Sequence, residues 1–403
     1  MAVLAGKVGS FWFSKKNALD FTAANNTVTI PDAATLDIAS DMTLEVWCAI
    51  GEPCGDQVVN KNSGEKGWGI SISASDALFT TTDGSTAETV QTTTKVNTDK
   101  WVHVVGTVEG TALQRIYLNG ELEATATAVG TDFSNGSDLV FGPTVAGSDT
   151  RIGVVRLFGQ AATAAEVSDL YHGKFPRSSM IGSLKGEWLF TEGTGTDLHD
   201  SSKNDNNGTI ANASWVSTTY DTETSETLVS DAGRLKYPTA YENVDNENLT
   251  ITVGGTAKTR GNDFEITPKG TLTFNTAVAV GDAVLAAYRH FPMTMEAGGF
   301  TNWSMDFSVD MLDKTDFITT GWREWEAGLK SWSGSAERFW KNSMYDLIGE
   351  KLVLKFYLDI TDVTTDYLTA WGILSGINPS TPVDTLVTES ISFQGTGVPG
   401  NEN

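Results

Sequence analysis

Arg115-Ile116-Tyr117-Leu118-Asn119-Gly120-Glu121-Leu122-Glu123-Ala124-Thr125 holds two runs of alternating residues joined by Asn-Gly. Both turn residues of a tight hairpin need positive φ, and Asn and Gly tolerate it best, so this stretch predicts two antiparallel strands. Outward from it, Trp101-Val102-His103-Val104-Val105, Met42-Thr43-Leu44-Glu45-Val46-Trp47 and Val28-Thr29-Ile30 repeat the period of two. Between residues 18 and 217 only Thr163 to Tyr171 reads helical, with Ala164, Val167, Leu170 and Tyr171 at 3–4 spacing. Thr163 followed by Glu166 is a capping-box start for that helix. Dense short strands with regular turns imply an all-β fold, and for residues 18–217 a β-sandwich.

The composition narrows the function. The chain has 403 residues, which at about 150 per domain suggests two or three domains. Its 51 acidic and 27 basic residues give a net charge of −24. A nucleic-acid binder that neutralises phosphate needs a basic face, and so does a protein adhering to an anionic membrane. Neither is expected here. No apolar run approaches the roughly 18 residues of a membrane-spanning helix. The opening Met1 to Lys7 lacks the charged start and apolar run of a signal peptide, so export by the standard route is not expected. Cys48 and Cys54, the two cysteines, are expected to be reduced thiols and not a disulfide framework.

Catalysis is not expected either. Glycosidases on sandwiches of this kind need two carboxylates across a cleft. The Glu-x-Asp-x-x-Glu strand motif of laminarinase-like members is missing, because no Asp in the chain has Glu two positions before it. His103, His172, His199 and His290 are scattered without metal-ligand spacing, and His103 is expected in the core or at a strand edge beside Trp101 and Val105. One oxygen-rich loop, Asp200-Ser201-Ser202-Lys203-Asn204-Asp205-Asn206-Asn207-Gly208, has donors suited to calcium in Asp200, Asp205 and Asn206. It lacks a closing Glu and carries Lys203 at its centre, so a polar turn accounts for it equally well. No other cofactor is implied.

Two resemblances add to these readings. Ala18-Leu19-Asp20-Phe21, Thr27 to Pro31, Thr43 to Trp47, Trp101-Val102-His103, Ile116 to Gly120 and Val154 to Phe158 together resemble the laminin-G-like, concanavalin-A-like jelly roll. Gly186-Glu187-Trp188-Leu189-Phe190 with Asp200-Ser201-Ser202 and Asn207-Gly208-Thr209 resembles another recurrent segment of that family. Placed after the body, it either closes the sandwich from the far end or starts a degenerate repeat. The resemblance implies the fold for residues 18–217, but this sandwich hosts lectins, glucanases and spacers alike.

The second resemblance lies in the C-terminal part. Asp306-x-Ser308-x-Asp310, Thr319 to Glu324, Gly328-Leu329-Lys330-Ser331-Trp332, Gly376 to Pro382 and Phe393-Gln394-Gly395-Thr396-Gly397, in that order, resemble the tail tube (major tail) proteins of long-tailed bacteriophages. Ala2 to Gly9 is similar to that family's first strand. On this reading residues 1–17 hold the first strand of the tube domain and residues 18–217 the inserted jelly roll. Residues 218–290 form a small accessory β unit, entered through a polar linker from Tyr220 to Thr227, and 291–403 the main part of the tube domain. The resemblance implies a virion structural protein, made in the host cytoplasm, whose copies form stacked hexameric rings around a DNA conduit. Its partners would be itself, other tail proteins, DNA passing without specific binding and, through the jelly roll, host-surface glycans, with no membrane. Residues 221–403 carry 13 basic and 26 acidic residues, a charge to which DNA would not stick. Trp322, Trp325, Trp332, Phe339 and Trp340 are the expected anchors of the subunit interface or the domain core. The alternatives are a lectin-like carbohydrate-binding or adhesion module, and a minor tail or capsid decoration protein.

Overall fold

The computed structural model describes residues 3–5, 11–14, 17–39, 41–51, 55–62, 64–96, 100–128, 130, 132–143, 149–173, 178–217, 220–230, 232–296, 300–315, 322–339, 347–357, 367–380 and 387–401. The chain is all-β and divides into two compact units, one of residues 15–221 and one of residues 1–14 with 222–403.

Residues 15–221 form a sandwich of two eight-stranded antiparallel sheets. The first sheet runs Glu121–Ala126, Leu113–Leu118, Trp101–Glu109, Met42–Ile50, Thr150–Phe158, Ala18–Phe21 and Ser214–Val216, with Leu184–Trp188 also paired to Thr150–Phe158. The second runs Asp197–Leu198, Gly208–Ala211, Thr27–Ile30, Leu139–Phe141, Gly55–Asn62, Lys66–Ser73, Asp76–Asp83 and Ala87–Gln91. Asn119 and Gly120 adopt φ of 50° and 85°, the turn that the sequence called for, and Leu118 pairs with Glu121 across it. The helix spans Ala164–Tyr171, and its capping box between Thr163 and Glu166 is complete. The segment from 184 to 216 closes the sandwich, because its strands pair with Thr150–Phe158, Thr27–Ile30 and Ala18–Phe21.

Inward-facing Phe21, Val46, Trp68, Ile70, Phe79, Val104, Phe141 and Trp188 fill one core between the sheets. Gly106 lets the two sheets pack tightly against Phe79, since a Cβ there would lie 2.3 Å from the ring. Cys48 is a free thiol in this core, and burial pushes its pKa up to about 12. Cys54 lies outside the described residues.

The other unit is built on an eight-stranded sheet in the order Val3–Ala5, Phe300–Asp313, Trp325–Phe339, Thr388–Asn401, Tyr367–Ser380, Lys351–Tyr357, Phe11–Ser14 and Thr294–Glu296. Strands from both ends of the chain thus meet in one sheet. A four-stranded and a three-stranded sheet from residues 221–290 share a core with it, in which Tyr237, Ile251, Phe264 and Tyr288 meet Val353 and Trp371. Residues 222–290 accordingly belong to the same compact unit as residues 291–403. The polar linker expected at Tyr220 to Thr227 is corrected: Asp221–Leu228 is a strand beside Val284–His290. Thr222, Thr224 and Thr227 are exposed while half-buried Glu226 accepts from Tyr288 Oη, so a strand polar on both faces reads as a linker. Among the described residues no helix is long and apolar enough to cross a membrane.

Gly106→Ala should destabilise the protein by about 1–3 kcal/mol through overpacking against Phe79. Gly182→Ala, with open space at its Cβ, should stay within about 0.5 kcal/mol of the wild type. Chemical unfolding followed by tryptophan fluorescence would separate the two. Equal stability of the G106A variant would mean that the sheets are not fixed at this point.

Candidate functional site

The two outer faces of the jelly roll have different chemistry. On the first sheet, register places Tyr117, Val105, Glu45, Arg156 and Glu187 in one row across five strands. Arg156 Nη1 donates to both oxygens of Glu45 at 3.1 and 3.0 Å, and Nε donates to Glu187 Oε1 at 2.9 Å. His103 Nε2 lies 3.2 Å from Glu45 Oε1. All four side chains are buried. A cover of Val167, Leu170 and Met180 packs over Val105, Tyr117 and Phe158 beside them. Trp47, His103 and Tyr171 also stack with ring centroids 5.0–5.7 Å apart.

Burial alone would raise the pKa of Glu45, but Arg156 and His103 outweigh it and hold the carboxyl below its ordinary value. Burial likewise disfavours the Arg156 cation, and the two glutamates more than restore it. Two carboxylates locked on one guanidinium under a helix act as a clamp between strands, not as an acid and a base facing a cleft.

At the rim of the second sheet an open cavity of about 560 Å³ is lined by Glu65, Lys66, Asp83, Gly84, Ser85, Ser134, Asn135 and Gly136. Its walls are fixed from beneath. Lys61, fully buried, donates through Nζ to Asp32 Oδ1 and to the carbonyls of Asn135 and Ser137, at 2.6, 2.9 and 2.7 Å. Asn135 Nδ2 donates to the Lys61, Lys66 and Phe133 carbonyls, while its Oδ1 accepts from Ser137 N. Asp83 Oδ1 accepts from Ser85 N, Ser85 Oγ and Thr86 N, which lowers its pKa. The Lys66 hydrogen bond brings Asp132 down to about 2. Such a cavity offers preorganised hydroxyl, amide and carboxylate groups, the equipment for binding a polar ligand without reorganisation.

On the first sheet, the Asp20 carboxyl is pushed up to about 6, by burial first and then by its hydrogen bond to Asp149 and that group's charge.

The oxygen-rich loop has a structural occupation. The Asp200 carboxylate accepts from Glu187 N, Ser202 N, Ser202 Oγ and Asn206 N, so it organises the turn. Asn206 is buried against it, with Nδ2 donating to Lys185 O, while Asp205 is exposed with a φ of 56°. Among the described residues no group of three or more His, Cys, Asp or Glu is placed to hold a metal ion.

The five aromatic anchors separate. Trp332 is core: its ring covers Gly395, and Nε1 donates to Gly397 O at 3.2 Å. Trp322 and Trp325 are exposed, by 81% and 46%. Phe339 ends its strand paired with Thr388, and Trp340 lies outside the described residues. Sequence reasoning missed a larger feature around Trp325. Val3–Ala5 covers only Ser304 to Asp306 of the strand Phe300–Asp313. Thr388–Asn401 covers only Ser333 to Phe339 of the strand Trp325–Phe339. Among the described residues the hairpin therefore continues as a two-stranded ribbon, Phe307–Asp313 against Trp325–Trp332, carrying exposed Val309, Met311, Leu312, Trp325 and Leu329.

Residues 22–168 match the model of the concanavalin A-like lectin/glucanase superfamily, so the chain contains a concanavalin A-like jelly roll. Solved structures similar to it include a Bacteroides ovatus protein provisionally assigned as carbohydrate-binding, at 16% identity, covering 51% of this chain and 60% of that one with a TM-score of 0.42. Domain 4 of an extracellular arabinanase from Geobacillus stearothermophilus, solved with arabinotriose, is 16% identical over 38% of this chain and 75% of that one, TM-score 0.30. The binding domain of botulinum neurotoxin DC, solved with rat synaptotagmin II, is 14% identical over 98% and 89%, TM-score 0.35. No curated protein matches the chain.

Arg156→Met should cost about 3–5 kcal/mol, because it leaves Glu45 and Glu187 buried without their cation. An unchanged urea midpoint would refute the clamp. The raised pKa of Asp20 makes the folded state hold its proton more tightly than the unfolded chain. The stability this contributes is present below pH 3.8 and is lost as pH rises through about 6. Asp20→Asn should flatten the stability profile across that window, as read from melting temperatures between pH 4 and 7.

Proposed function

We propose that the jelly roll is a lectin-like carbohydrate-binding module and that the protein acts by binding, not catalysis. The observation that carries this reading is the match of residues 22–168 to the lectin/glucanase superfamily. The rim cavity supports it with fixed polar walls, while the buried glutamates of the same domain are committed to Arg156. Glycan-array binding by the full chain should detect ligands with dissociation constants of about 1 mM or tighter, the range of modest affinities near −4 kcal/mol. An empty array at high protein concentration would sink this reading.

A second reading concerns the unit formed by residues 1–14 and 222–403. It is a tail tube subunit of a long-tailed bacteriophage, located in the virion, whose copies associate into stacked rings. The ribbon Phe307–Asp313/Trp325–Trp332 favours it. Among the described residues no strand pairs with either edge of the ribbon, and large apolar side chains are exposed on it. An isolated two-stranded ribbon is marginal in water, and open edges pair readily with another chain. The net of −13 over residues 221–403, from 13 basic and 26 acidic residues, suits a conduit through which DNA passes without adhering. Calcium in the loop around Asp200 is not needed for either reading.

Electron microscopy over a concentration series should show rings or tubes with a central hole. Trp325→Ala with Leu329→Ala should leave the monomer's melting temperature nearly unchanged, since both side chains are exposed, yet raise the concentration needed for assembly at least about tenfold, or 1.4 kcal/mol. Uniform monomers at every concentration would remove the tube reading and leave the lectin-like one.

A further inference from the structure

The second sheet of the jelly roll turns one face to the core and the other to solvent. Register aligns the outward residues in rows. One row runs Thr209, Thr29, Val140, Asn60, Gly69, Thr80 and Thr89 across seven strands. At about 4.8 Å per strand it spans about 29 Å. The neighbouring rows are Gln57, Ser71, Leu78 and Gln91 on one side, and Asn62, Gly67, Thr82 and Ala87 on the other. Every one of these residues is uncharged, in a chain where 19% of residues are charged and the net is −24. Charge stops at the border, where Asp197 pairs with Thr209.

A trough of about 140 Å³ lies in the middle of this face, lined by Asn60, Asn62, Trp68, Gly69, Ser71 and Thr80 among others. Gly69 makes it: a Cβ there would lie 2.7 Å from Val59 O and 3.2 Å from Asn60 Oδ1. Trp68, next to Gly69 on the strand, contributes to the trough where Gly67 and Gly69 leave the strand bare, and turns its own ring into the core.

The chemistry of the face selects its ligand. These three rows have no cation for phosphate, sulfate or a carboxylate and no carboxylate for an ammonium group, the nearest carboxylates on the face being Asp197 and Asp76 at its borders. A protein interface core is built on aromatic and large apolar side chains. Here Val140 and Leu78 are the only large apolar residues in the three rows. Hydroxyl and amide groups at strand spacing are suited to a chain of hydroxyls that carries no charge. We propose that this face binds an extended, neutral glycan laid across the strands, centred on the trough at Gly69, as a site separate from the rim cavity. The inference rests on the carbohydrate reading of the jelly roll and names its site and ligand class.

The test is titration calorimetry of the full chain with cellohexaose, laminarihexaose and mannohexaose, and with oligogalacturonate as the charged counterpart. Asn60→Ala with Thr80→Ala should weaken binding of a neutral hexaose at least about tenfold, with the melting temperature unchanged because both side chains face outward. Leu122→Ala, exposed on the first sheet and away from both candidate sites, should leave it within about twofold, while Glu65→Ala with Ser134→Ala reads the rim cavity separately. Loss in the rim variant with binding kept in the face variant overturns this site and leaves the carbohydrate reading intact. Tighter binding of oligogalacturonate than of every neutral hexaose overturns the neutral class. No binding of any of the four by the wild type overturns the face as a glycan site, and the glycan array then decides separately whether the jelly roll binds carbohydrate at all.

Discussion

Backbone pairing between Ala18–Phe21 and Ser214–Val216 sets the terms on which the rest of the chain folds. Ala18 lies opposite Val216, so the jelly roll enters and leaves through neighbouring antiparallel strands, with Cα atoms about 5 Å apart. The other unit needs strands from both sides of this insertion, since Val3–Ala5 and Phe11–Ser14 pair with strands beyond residue 293. Closing a flexible connection of about 200 residues costs about 3 kcal/mol more than closing a four-residue one, at about 0.6 kcal/mol per doubling. A folded jelly roll with adjacent ends removes most of that penalty. The insertion therefore behaves, for the surrounding sheet, like a short loop.

The sandwich must in turn hold its own closing strands. Leu184–Trp188 joins the first sheet beside Thr150–Phe158, and this pairing carries Glu187 to Arg156, which also binds Glu45 on the opposite neighbour. One guanidinium thus links three strands far apart in sequence, beneath the short helix. Asp200 extends the same closure by accepting from Glu187 N and Asn206 N. With one sheet covered and cross-linked in this way, the other is left as the open face. The division of labour between the two faces follows from where the chain's late segments return.

Local chemistry was legible in the sequence, and long-range pairing was not. Asn119-Gly120 and the Thr163–Glu166 capping box depend on residues a few positions apart, and both form as read. The all-β class and the jelly roll follow from alternation and from a run of recognisable strand words. The Glu45–Arg156–Glu187–His103 cluster was invisible because its members lie on four strands separated by up to 142 residues (187 − 45). Asp221–Leu228 was misread because its partner strand lies some 60 residues away and its own residues are polar. The aromatic residues show another limit. Period two assigns Trp325 and Trp332 to faces without naming them, and only Gly395 beneath one ring decides that Trp332 is core.

The proposed binding and assembly roles support each other energetically. A flat, uncharged face with a shallow trough offers a glycan few contacts, none of them charge-assisted, and neutral hydrogen bonds exchanged with water contribute only about 0.5–1.5 kcal/mol each. Such a site is weak as a single copy. If the other unit assembles through its ribbon, each ring would present several jelly rolls, and a glycan-covered surface would then meet them at high effective concentration. Avidity can exceed single-site affinity by about 10²–10⁴ without any new contact. A weak site also releases each sugar readily, so a surface decorated in this way could sample glycans without being trapped by the first one it meets. Modest affinity in the jelly roll is thus the property an assembled array calls for, and a flat neutral face is the kind of surface that provides it.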